Sequence, residues 1–254
     1  MNILGLDTSG AVASCAIINE KTTIGEFTTN HKINHSETFL PLIDSLLKSV
    51  SMDLKEIDYI AVSTGPGSFT GLRIGAAIAM SFAHALGIKI LPVPALDGLA
   101  YNMLDSKNLV IPIMDARRNQ VYSAIYENSK RLTKYLNEDI YALMDIVNSY
   151  KTPSVFLGDG VFVHKDLILT NSHKIAPLNN SMQRASSVAF LGLNLIKENK
   201  AIDYNKFELM YLRKTQAERE YSCSVLKTAQ QSAVIFSQCK ESTMPCAQRH
   251  TKRR

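Results

Sequence analysis

Residues 3–28, ILGLDTSGAVASCAIINEKTTIGEFT, decide the fold because they alternate three short apolar runs with tight connections. The runs Ile3–Asp7, Val12–Ile18 and Thr23–Thr28 have the length and the residue types of β-strands. Gly10 lies in the first connection, and residues 19–21 form the second. We therefore expect the chain to open with a hairpin meander of three strands.

After the meander, the apolar period changes to that of a helix. Apolar residues recur on one helical face from Phe39 to Val50, and Asn34 with Glu37 forms a capping box before them. Further strands are predicted at 58–63 and 89–93, and further helices at 71–86, which Gly87 ends, and at 95–103. This order predicts a mixed sheet with helices packed on it. It resembles the ribonuclease-H-like core of the actin, sugar kinase and heat-shock ATPase (ASKHA) superfamily.

A second cycle of the same kind follows. Strands are predicted at 109–114, 120–127, 132–137 and 154–157, and helices at 141–150 and 185–197. Because members of the superfamily carry two such cores, we predict an α/β, actin-like fold with one core over 1–105 and another over 106–221. The sequence loses its apolar period after Tyr221, so residues 222–254 are expected to form a poorly ordered basic tail.

The charge of the chain is concentrated in that tail. Residues 222–254 hold six basic residues and one acid, whereas residues 1–221 hold 22 of each. A basic body would indicate direct nucleic-acid binding, and this neutral body gives no such signal. We find neither a secretory signal nor eighteen consecutive apolar residues, so we expect a cytoplasmic protein without a membrane-spanning helix. Cys15 lies in an apolar run and is expected to be a small buried hydrophobe.

The segment GPGSFTGLRIG, Gly65–Gly75, follows a predicted strand and opens a helix. Glycines permit close backbone approach, and a helix N-terminus favours anions. A Walker A loop is excluded because Leu72 follows the last loop glycine, and Ser68 lacks the flanking glycines of a nucleophile elbow. The spacing also differs from that of a dinucleotide fingerprint. A turn without a ligand is the alternative. The positions that carry the motif are Gly65, Pro66, Gly67, Ser68, Thr70, Gly71 and Arg73.

Asp7, Thr8 and Ser9 follow one another where the first predicted strand ends. In the actin-like superfamily an aspartate here faces nucleotide phosphates and their magnesium, so the resemblance makes these three residues candidate nucleotide ligands. A turn with local hydrogen bonds is the alternative. An aspartic protease needs a second such aspartate, which only a homodimer would supply. His31 and His35 have no third ligand at metal-binding spacing, so no metal site is predicted.

The predicted helix at 71–86 is apolar on almost every side. Such a helix is normally buried on both sides. One side can pack on its own sheet, and the other needs a second core or a partner protein. Its alanines allow another helix to approach closely, and Leu40 lies off the apolar stripe of the preceding helix. The predicted partner interface comprises Phe39, Leu40, Ile43, Leu47, Ile74, Ala76, Ala79, Met80 and Ala83.

Several segments of residues 1–221 together resemble the TsaB family. They are Leu6–Ser9, His35–Pro41, Gly65–Gly75, Asp115–Tyr122 and Tyr211–Glu220. The resemblance implies two actin-like cores and a non-catalytic subunit of the bacterial complex that forms threonylcarbamoyladenosine at position 37 of transfer RNA. It implies that TsaD is the catalytic, metal-binding partner and that TsaE joins the complex. It also implies that tRNA is met only through the complex and that a homodimer forms when TsaD is absent.

Two other classes of function stay open from the residues. An active actin-like ATPase or phosphotransferase needs a second, glycine-rich phosphate loop, but residues 113–117 hold no glycine. Arg117 and Arg118 leave contact with an anion open. A peptidase would need a nucleophile and a metal set that we do not find. We therefore predict no catalytic residue. No cofactor is firmly implied, although ATP or ADP with magnesium at the interface of the complex stays open.

Overall fold

Five strands near the start of the chain form the first sheet. The computed structural model describes residues 1–30, 35–171 and 173–213, so the predictions for His31, for the Asn34 cap and for the tail lie outside the described residues. In chain order the strands are β1 (Ile3–Asp7), β2 (Ala13–Ile18), β3 (Thr23–Thr29), β4 (Tyr59–Ser63) and β5 (Lys89–Val93). The order across the sheet is β3-β2-β1-β4-β5. The β1, β2 and β3 strands are antiparallel, as the predicted meander requires, whereas β4 and β5 run parallel to β1.

The second sheet repeats this plan. Its strands are β6 (Leu109–Asp115), β7 (Gln120–Ser123), β8 (Tyr126–Glu127), β9 (Lys130–Arg131), β10 (Leu136–Asp139), β11 (Ser154–Leu157) and β12 (Lys174–Ile175). The order β10-β7-β6-β11-β12 has the same antiparallel and parallel pairings, and the short β8–β9 hairpin is added beside β6. The predicted α/β, actin-like fold with mixed sheets is confirmed.

Six α-helices cover these sheets in the described part of the chain. They are α1 (His35–Ser49), α2 (Phe69–Leu86), α3 (Ala95–Tyr101), α4 (Ile140–Ser149), α5 (Gly160–Thr170) and α6 (Ala185–Lys197). Single 3-10 turns lie at Leu54–Glu56, Leu178–Asn180 and Tyr204–Lys206. Ser68 caps α2, which therefore begins two residues before the predicted start. Gly87 ends it in the left-handed conformation, with φ of 66°.

Helices bury both faces of the first sheet. The α1 and α2 helices pack on the side of Leu4, Leu6 and Ile60. The other side is covered by α6, through Val188 and Ala189. The sequence placed α6 within the second predicted core, 106–221, yet it packs on the first sheet because that sheet needs an apolar cover on each side. The range Met1–Leu212 forms one compact unit, and the proposed boundaries at 105 and 221 stay predictions.

Besides the two-residue strand β9 and the 3-10 turns, two elements of the second half were not predicted. The α5 helix carries apolar residues on all sides and departs from helical geometry at His164, with φ of −114° and ψ of 20°. A helix without one apolar stripe gives no helical period in the sequence. The two-residue strand β12 is too short to produce an alternating pattern.

The α2 helix is the longest helix in the described part of the chain. By length and composition alone it is apolar enough to cross a membrane. A helix in the core of a folded domain passes the same test, and α2 packs against the first sheet. The residues of α2 that are buried are Gly71, Leu72, Gly75, Ala76, Ala79 and Ala83. We therefore interpret α2 as a core helix with one uncovered side.

Candidate functional site

The carboxyl group of Asp7 lies at the end of β1 and is sealed from solvent. The residue is 1% exposed, and its Oδ1 atom accepts hydrogen bonds from the backbone N–H of Ser9 at 2.9 Å and from the Ser9 hydroxyl at 2.6 Å. The Ser63 hydroxyl faces the same carboxyl, but neither Oδ2 nor Ser63 Oγ has a hydrogen bond of good geometry within the described residues. Burial raises the pKa of Asp7, and the hydrogen bonds from Ser9 only partly oppose this.

The glycine motif at the start of α2 packs directly on the turn that follows β1. A Cβ atom at Gly67 would collide with the carbonyl oxygen of Ser9, and one at Gly71 would collide with that of Thr8. The Ser68 N–H donates to the Ser9 carbonyl at 2.7 Å, and the Thr8 hydroxyl donates to the Gly71 carbonyl at 2.7 Å. The two sequence motifs, Asp7–Ser9 and Gly65–Gly75, are thus in direct contact. Backbone atoms of the first fill the space beside the glycines of the second.

The conformation of the loop also needs its glycines. Gly65 has φ of 108°, a region that residues with a side chain rarely adopt, and its carbonyl accepts from the Ala95 N–H at 2.9 Å. Pro66 is buried, Thr70 is exposed, and the Ser68 hydroxyl accepts from the Gly71 N–H at 3.3 Å as the cap of α2. These contacts hold the motif as a strand-to-helix turn that opens α2.

Arg73 points away from the sealed turn. Its guanidinium lies 3.8 Å from the centre of the Phe69 ring, and its Nε atom donates to the Tyr211 hydroxyl at 3.3 Å. The two aromatic rings are themselves in contact, with centroids 5.2 Å apart. This cluster joins the first turn of α2 to the last described residues of the compact unit, so Arg73 has a structural role.

These residues do not fit a nucleotide and its magnesium ion. Phosphate or metal contact requires Asp7 to face open space, whereas it is enclosed by Ser9 and by the loop that opens α2. The candidate roles of Asp7, Thr8 and Ser9 as nucleotide ligands therefore lack support in this geometry. No group of three His, Cys, Asp or Glu side chains that could hold a metal occurs within residues 1–30, 35–171 and 173–213.

The corresponding turn of the second sheet is open to solvent. It joins β6 to β7, and Arg117, Arg118 and Asn119 have positive φ values of 63°, 57° and 60°. The Asp115 Oδ1 atom accepts a hydrogen bond from the Arg117 N–H at 2.8 Å. Both arginine side chains are exposed and are therefore accessible to an anion. Left-handed residues other than glycine are strained and often mark functional turns.

Two residues near these turns escaped the sequence analysis. Asp159 lies directly before α5, and its carboxyl accepts from the Asp115 N–H at 3.1 Å. Gln183 is fully buried, and its side-chain amide lies against Gly10. A glycine on each side of Asp159, directly after a strand, was the only signal for the first residue. We find no sequence signal for Gln183.

The predicted interface residues fall into two groups. Leu40 is 50% exposed, and Leu47, Ile74 and Met80 are half-buried. The remaining five are buried in the chain's own core and cannot serve as a surface in this structure: Phe39, Ile43, Ala76, Ala79 and Ala83. That part of the prediction is corrected, because the small alanines bring α2 close to its own sheet and neighbouring helix.

Comparisons with known proteins agree along almost the whole chain. A family profile described as "TsaD: tRNA N6-adenosine threonylcarbamoyltransferase" matches residues 22–243, which extends past residue 221, where the sequence motifs end. The TsaB protein of Bacillus subtilis (strain 168) is 35% identical over 228 residues, covering 87% of this chain and 98% of the relative. The TsaB protein of Buchnera aphidicola subsp. Schizaphis graminum is 30% identical over 193 residues, covering 69% and 91%.

Solved structures show the same fold. YeaZ from Pseudomonas aeruginosa superposes with a TM-score of 0.67 at 21% sequence identity, covering 83% of this chain and 99% of that one. The repeated strand order defines an actin-like protein of two sheets. In the turn after β1, the candidate nucleotide ligands Asp7, Thr8 and Ser9 are buried. With a relative that it matches over nearly that relative's full length, the chain belongs to the TsaB family.

Proposed function

We propose that this chain is a non-catalytic subunit of the bacterial tRNA threonylcarbamoyladenosine machinery, supporting a TsaD transferase subunit. The observation that carries the proposal is the enclosed carboxyl of Asp7 in a chain of TsaB ancestry. A superfamily member that acts on a nucleotide by itself needs this position open. An active ATPase or phosphotransferase is accordingly the weaker candidate, and the exposed Arg117 and Arg118 are the feature that still favours it.

The uncovered side of α2 supports a protein partner. The helix is largely apolar, yet only 33% of its residues are buried within the chain. Ile78, Met80 and Phe82 stay half-buried, and Leu40 on the adjacent α1 helix is 50% exposed. An apolar helix side of this kind, bordered by another helix, is typical of a protein interface.

We assign this side of α1 and α2 to the contact with TsaD. When TsaD is absent, a second copy of the chain would cover the same surface. TsaE would join the assembly, tRNA would be met only through the complex, and the compartment would be the cytoplasm. ATP or ADP with magnesium would belong to the partner subunits, because the turn after β1 does not offer this chain's own carboxyl to a ligand.

Reconstitution tests the role of the chain. Purified chain, TsaD and TsaE from one bacterium are combined with tRNA and the donor of the threonylcarbamoyl group, and modified adenosine is measured. We expect no product from the chain alone, and product from the mixture that drops when the chain is omitted. Turnover by the isolated chain, or full activity without it, would contradict the proposal.

Charge substitutions test the surface. Leu40→Glu and Ala77→Glu place a carboxylate on the exposed side of α1 and α2. Burying an unpaired charge costs several kcal/mol, so affinity for TsaD should fall at least about a hundredfold. Ala142→Glu is the matched control, because it adds the same charge to an exposed position of α4 in the second half. Unchanged affinity in both test variants would place the interface elsewhere.

A further inference from the structure

Three connections of the second half lie at one edge of the second sheet. The β10 and β11 strands run parallel to β6, because β10 and β6 each pair antiparallel with β7 and β11 pairs parallel with β6. The turn after β6, the start of α4 and the start of α5 therefore meet at the edge where these three strands end. In open α/β sheets, the edge formed by the carboxyl ends of the strands is the usual place of binding.

Hydrogen bonds join the three connections to one another. The Ile140 N–H, at the start of α4, donates to the Asn119 carbonyl at 2.9 Å. The Asp115 N–H, at the end of β6, donates to Oδ1 of Asp159 at 3.1 Å, and Asp159 lies directly before α5. The turn at 117–119 is thus bonded directly to the start of α4, and the strand that precedes the turn is bonded to the start of α5.

Large apolar side chains in the first turns of both helices are exposed. Tyr141 of α4 is 60% exposed, and Phe162 and Val163 of α5 are 55% and 60% exposed. Aromatic residues and arginine are enriched in the centres of protein interfaces. Exposed aromatic side chains within one helical turn of the contacts to an arginine-bearing turn are therefore typical of a surface that docks a protein segment.

The charge that this edge offers to a partner is positive. Its acids already bind backbone groups of the chain, because Oδ1 of Asp115 accepts from the Arg117 N–H at 2.8 Å and Oδ1 of Asp139 accepts from the Tyr141 N–H at 3.0 Å. Among the residues that the structure describes, neither the Arg117 nor the Arg118 guanidinium takes part in an ion pair or a contact with a ring. A carboxylate is the protein group that pairs best with an exposed guanidinium.

The backbone of the turn indicates that these side chains are needed. Arg117, Arg118 and Asn119 have φ values of 63°, 57° and 60°. Glycine adopts this left-handed conformation readily, whereas a residue with a Cβ atom is strained there. Glycines would therefore relieve the turn, so the presence of two arginines points to a role of their side chains outside the fold.

We propose that the edge formed by Arg117, Arg118, Tyr141 and Phe162 docks an acidic and apolar segment of another protein. Carboxylates of the segment pair with the two guanidinium groups, and its apolar side chains pack on the exposed rings. A strand of RNA is disfavoured, because its phosphates would meet the exposed carboxyl of Asp115. The surface lies in the second half of the chain and is distinct from the side of α1 and α2 assigned to TsaD, so either assignment can fail while the other holds.

Peptide titration of the full-length chain, followed by nitrogen-15 NMR, tests the chemistry of the partner. The probe is a short peptide in which glutamates flank two leucines, and two control peptides carry lysine for glutamate or glycine for leucine. We expect the probe to shift the amide signals of residues 117–119 and of the first turns of α4 and α5, and to bind at least about tenfold more tightly than either control. No binding, equal affinity of a control peptide, or shifts confined to other parts of the chain would overturn the proposal. Tighter binding of an oligouridine than of the probe would also overturn it and would assign the edge to nucleic acid.

Glycine substitutions test the role of the arginines. Arg117→Gly combined with Arg118→Gly removes both guanidinium groups and suits the left-handed turn. Lys151→Gly is the matched control, because Lys151 is exposed, has φ of 52° and precedes β11 at the opposite edge of the sheet. We expect the arginine variant to melt no lower than the natural sequence and to bind the probe at least about tenfold more weakly, whereas the control binds it unchanged. Natural affinity in the arginine variant, or an equal loss in the control, would contradict the proposal. A melting temperature below that of the control would give the arginines a structural role instead.

Discussion

Thr8 and Gly71 fix the first turn of α2 against the end of β1. The Thr8 hydroxyl donates to the Gly71 carbonyl at 2.7 Å, and the Thr8 carbonyl occupies the space that a Cβ atom on Gly71 would need. Both obstacles are backbone or buried atoms that have no room to move. The absence of a side chain at residue 71 is therefore a packing requirement.

We expect Gly71→Ala to lower the free energy of unfolding by about 3 kcal/mol or more, because overpacking against backbone cannot be relieved by a rotamer change. Gly87→Ala is the comparison. Nothing lies within 4 Å of its added methyl group, and only the left-handed φ of 66° is strained, which costs about 1 kcal/mol. Urea denaturation of the three proteins measures the difference. Equal losses in the two variants would mean that the contact with Thr8 does not matter.

Asp7→Asn should change how stability depends on pH. Burial raises the pKa of Asp7 above its ordinary value of 3.8, so the folded protein favours the protonated form. The contribution of Asp7 to stability is then fully present below about pH 3.8 and is lost as pH rises through the raised pKa. The asparagine variant has no such loss and can donate to Ser63 Oγ. Relative to the natural sequence, we expect its stability advantage to grow as pH rises above about 3.8.

Unfolding free energies of both proteins at several pH values above about 3.8 check this expectation. Asp44→Asn serves as the control, since Asp44 is exposed and pairs with Lys48 on the surface of α1. Its difference from the natural sequence should stay small and nearly constant. A difference for Asp7→Asn that does not grow with pH would show that Asp7 is ionised without penalty in the folded state.

Ala79→Glu should prevent folding, whereas Ala77→Glu should not. Ala79 is fully buried between α2 and the first sheet, so a carboxylate there is desolvated without a partner and costs several kcal/mol. Ala77 lies on the exposed side of the same helix, where a substitution changes stability by about 0.5 kcal/mol or less. Thermal denaturation of the two purified variants distinguishes them. A folded Ala79→Glu protein of natural stability would contradict the assigned face of α2.

Glu26→Ala should loosen the start of α6. The Glu26 carboxylate accepts from Nε and Nη2 of Arg184, and also from the backbone N–H and the hydroxyl of Ser186. Hydrogen bonds to a charged group each contribute about 1.5–3 kcal/mol, and the partial exposure of Arg184 reduces the sum, so we expect a loss of about 2–3 kcal/mol. Glu26→Gln keeps the acceptor for Ser186 and should lose less. Chemical denaturation measures both, and an equal loss would assign the whole effect to the charge.

The first half of the chain could be predicted closely because its elements carry clear periods. Strand β5 and the end of α2 at Gly87 lie where the apolar pattern and the glycine place them. The strands of the second half were harder to predict from the sequence. Its predicted strand at 120–127 is two short strands, β7 and β8, because Ala124 and Ile125 leave the sheet while staying buried. Burial keeps such residues apolar whether or not they pair, so the sequence does not mark the break.

The sequence identified the two motifs of the site but not the way in which they pack against each other. The motifs at Asp7–Ser9 and Gly65–Gly75 were found by residue type and order, yet spacing along the chain cannot show that they fill each other's space. The direction of the α2 alanines was wrong for a similar reason. Small residues permit close approach to any neighbour, and their own sheet was the neighbour that the helical period did not identify.

The position of α6 affects how the protein folds during its synthesis. Residues 185–197 cover the side of the first sheet that holds Ile3, Leu91 and Val93. The ribosome synthesises α6 only after nearly all of the described chain has been made. One apolar face of the first sheet therefore stays uncovered while the second sheet is being synthesised. The first half therefore cannot complete its packing before α6 has been synthesised. A nascent chain stalled near residue 105 should bind chaperones through this uncovered face. The binding should end once α6 has left the ribosome and covers the sheet.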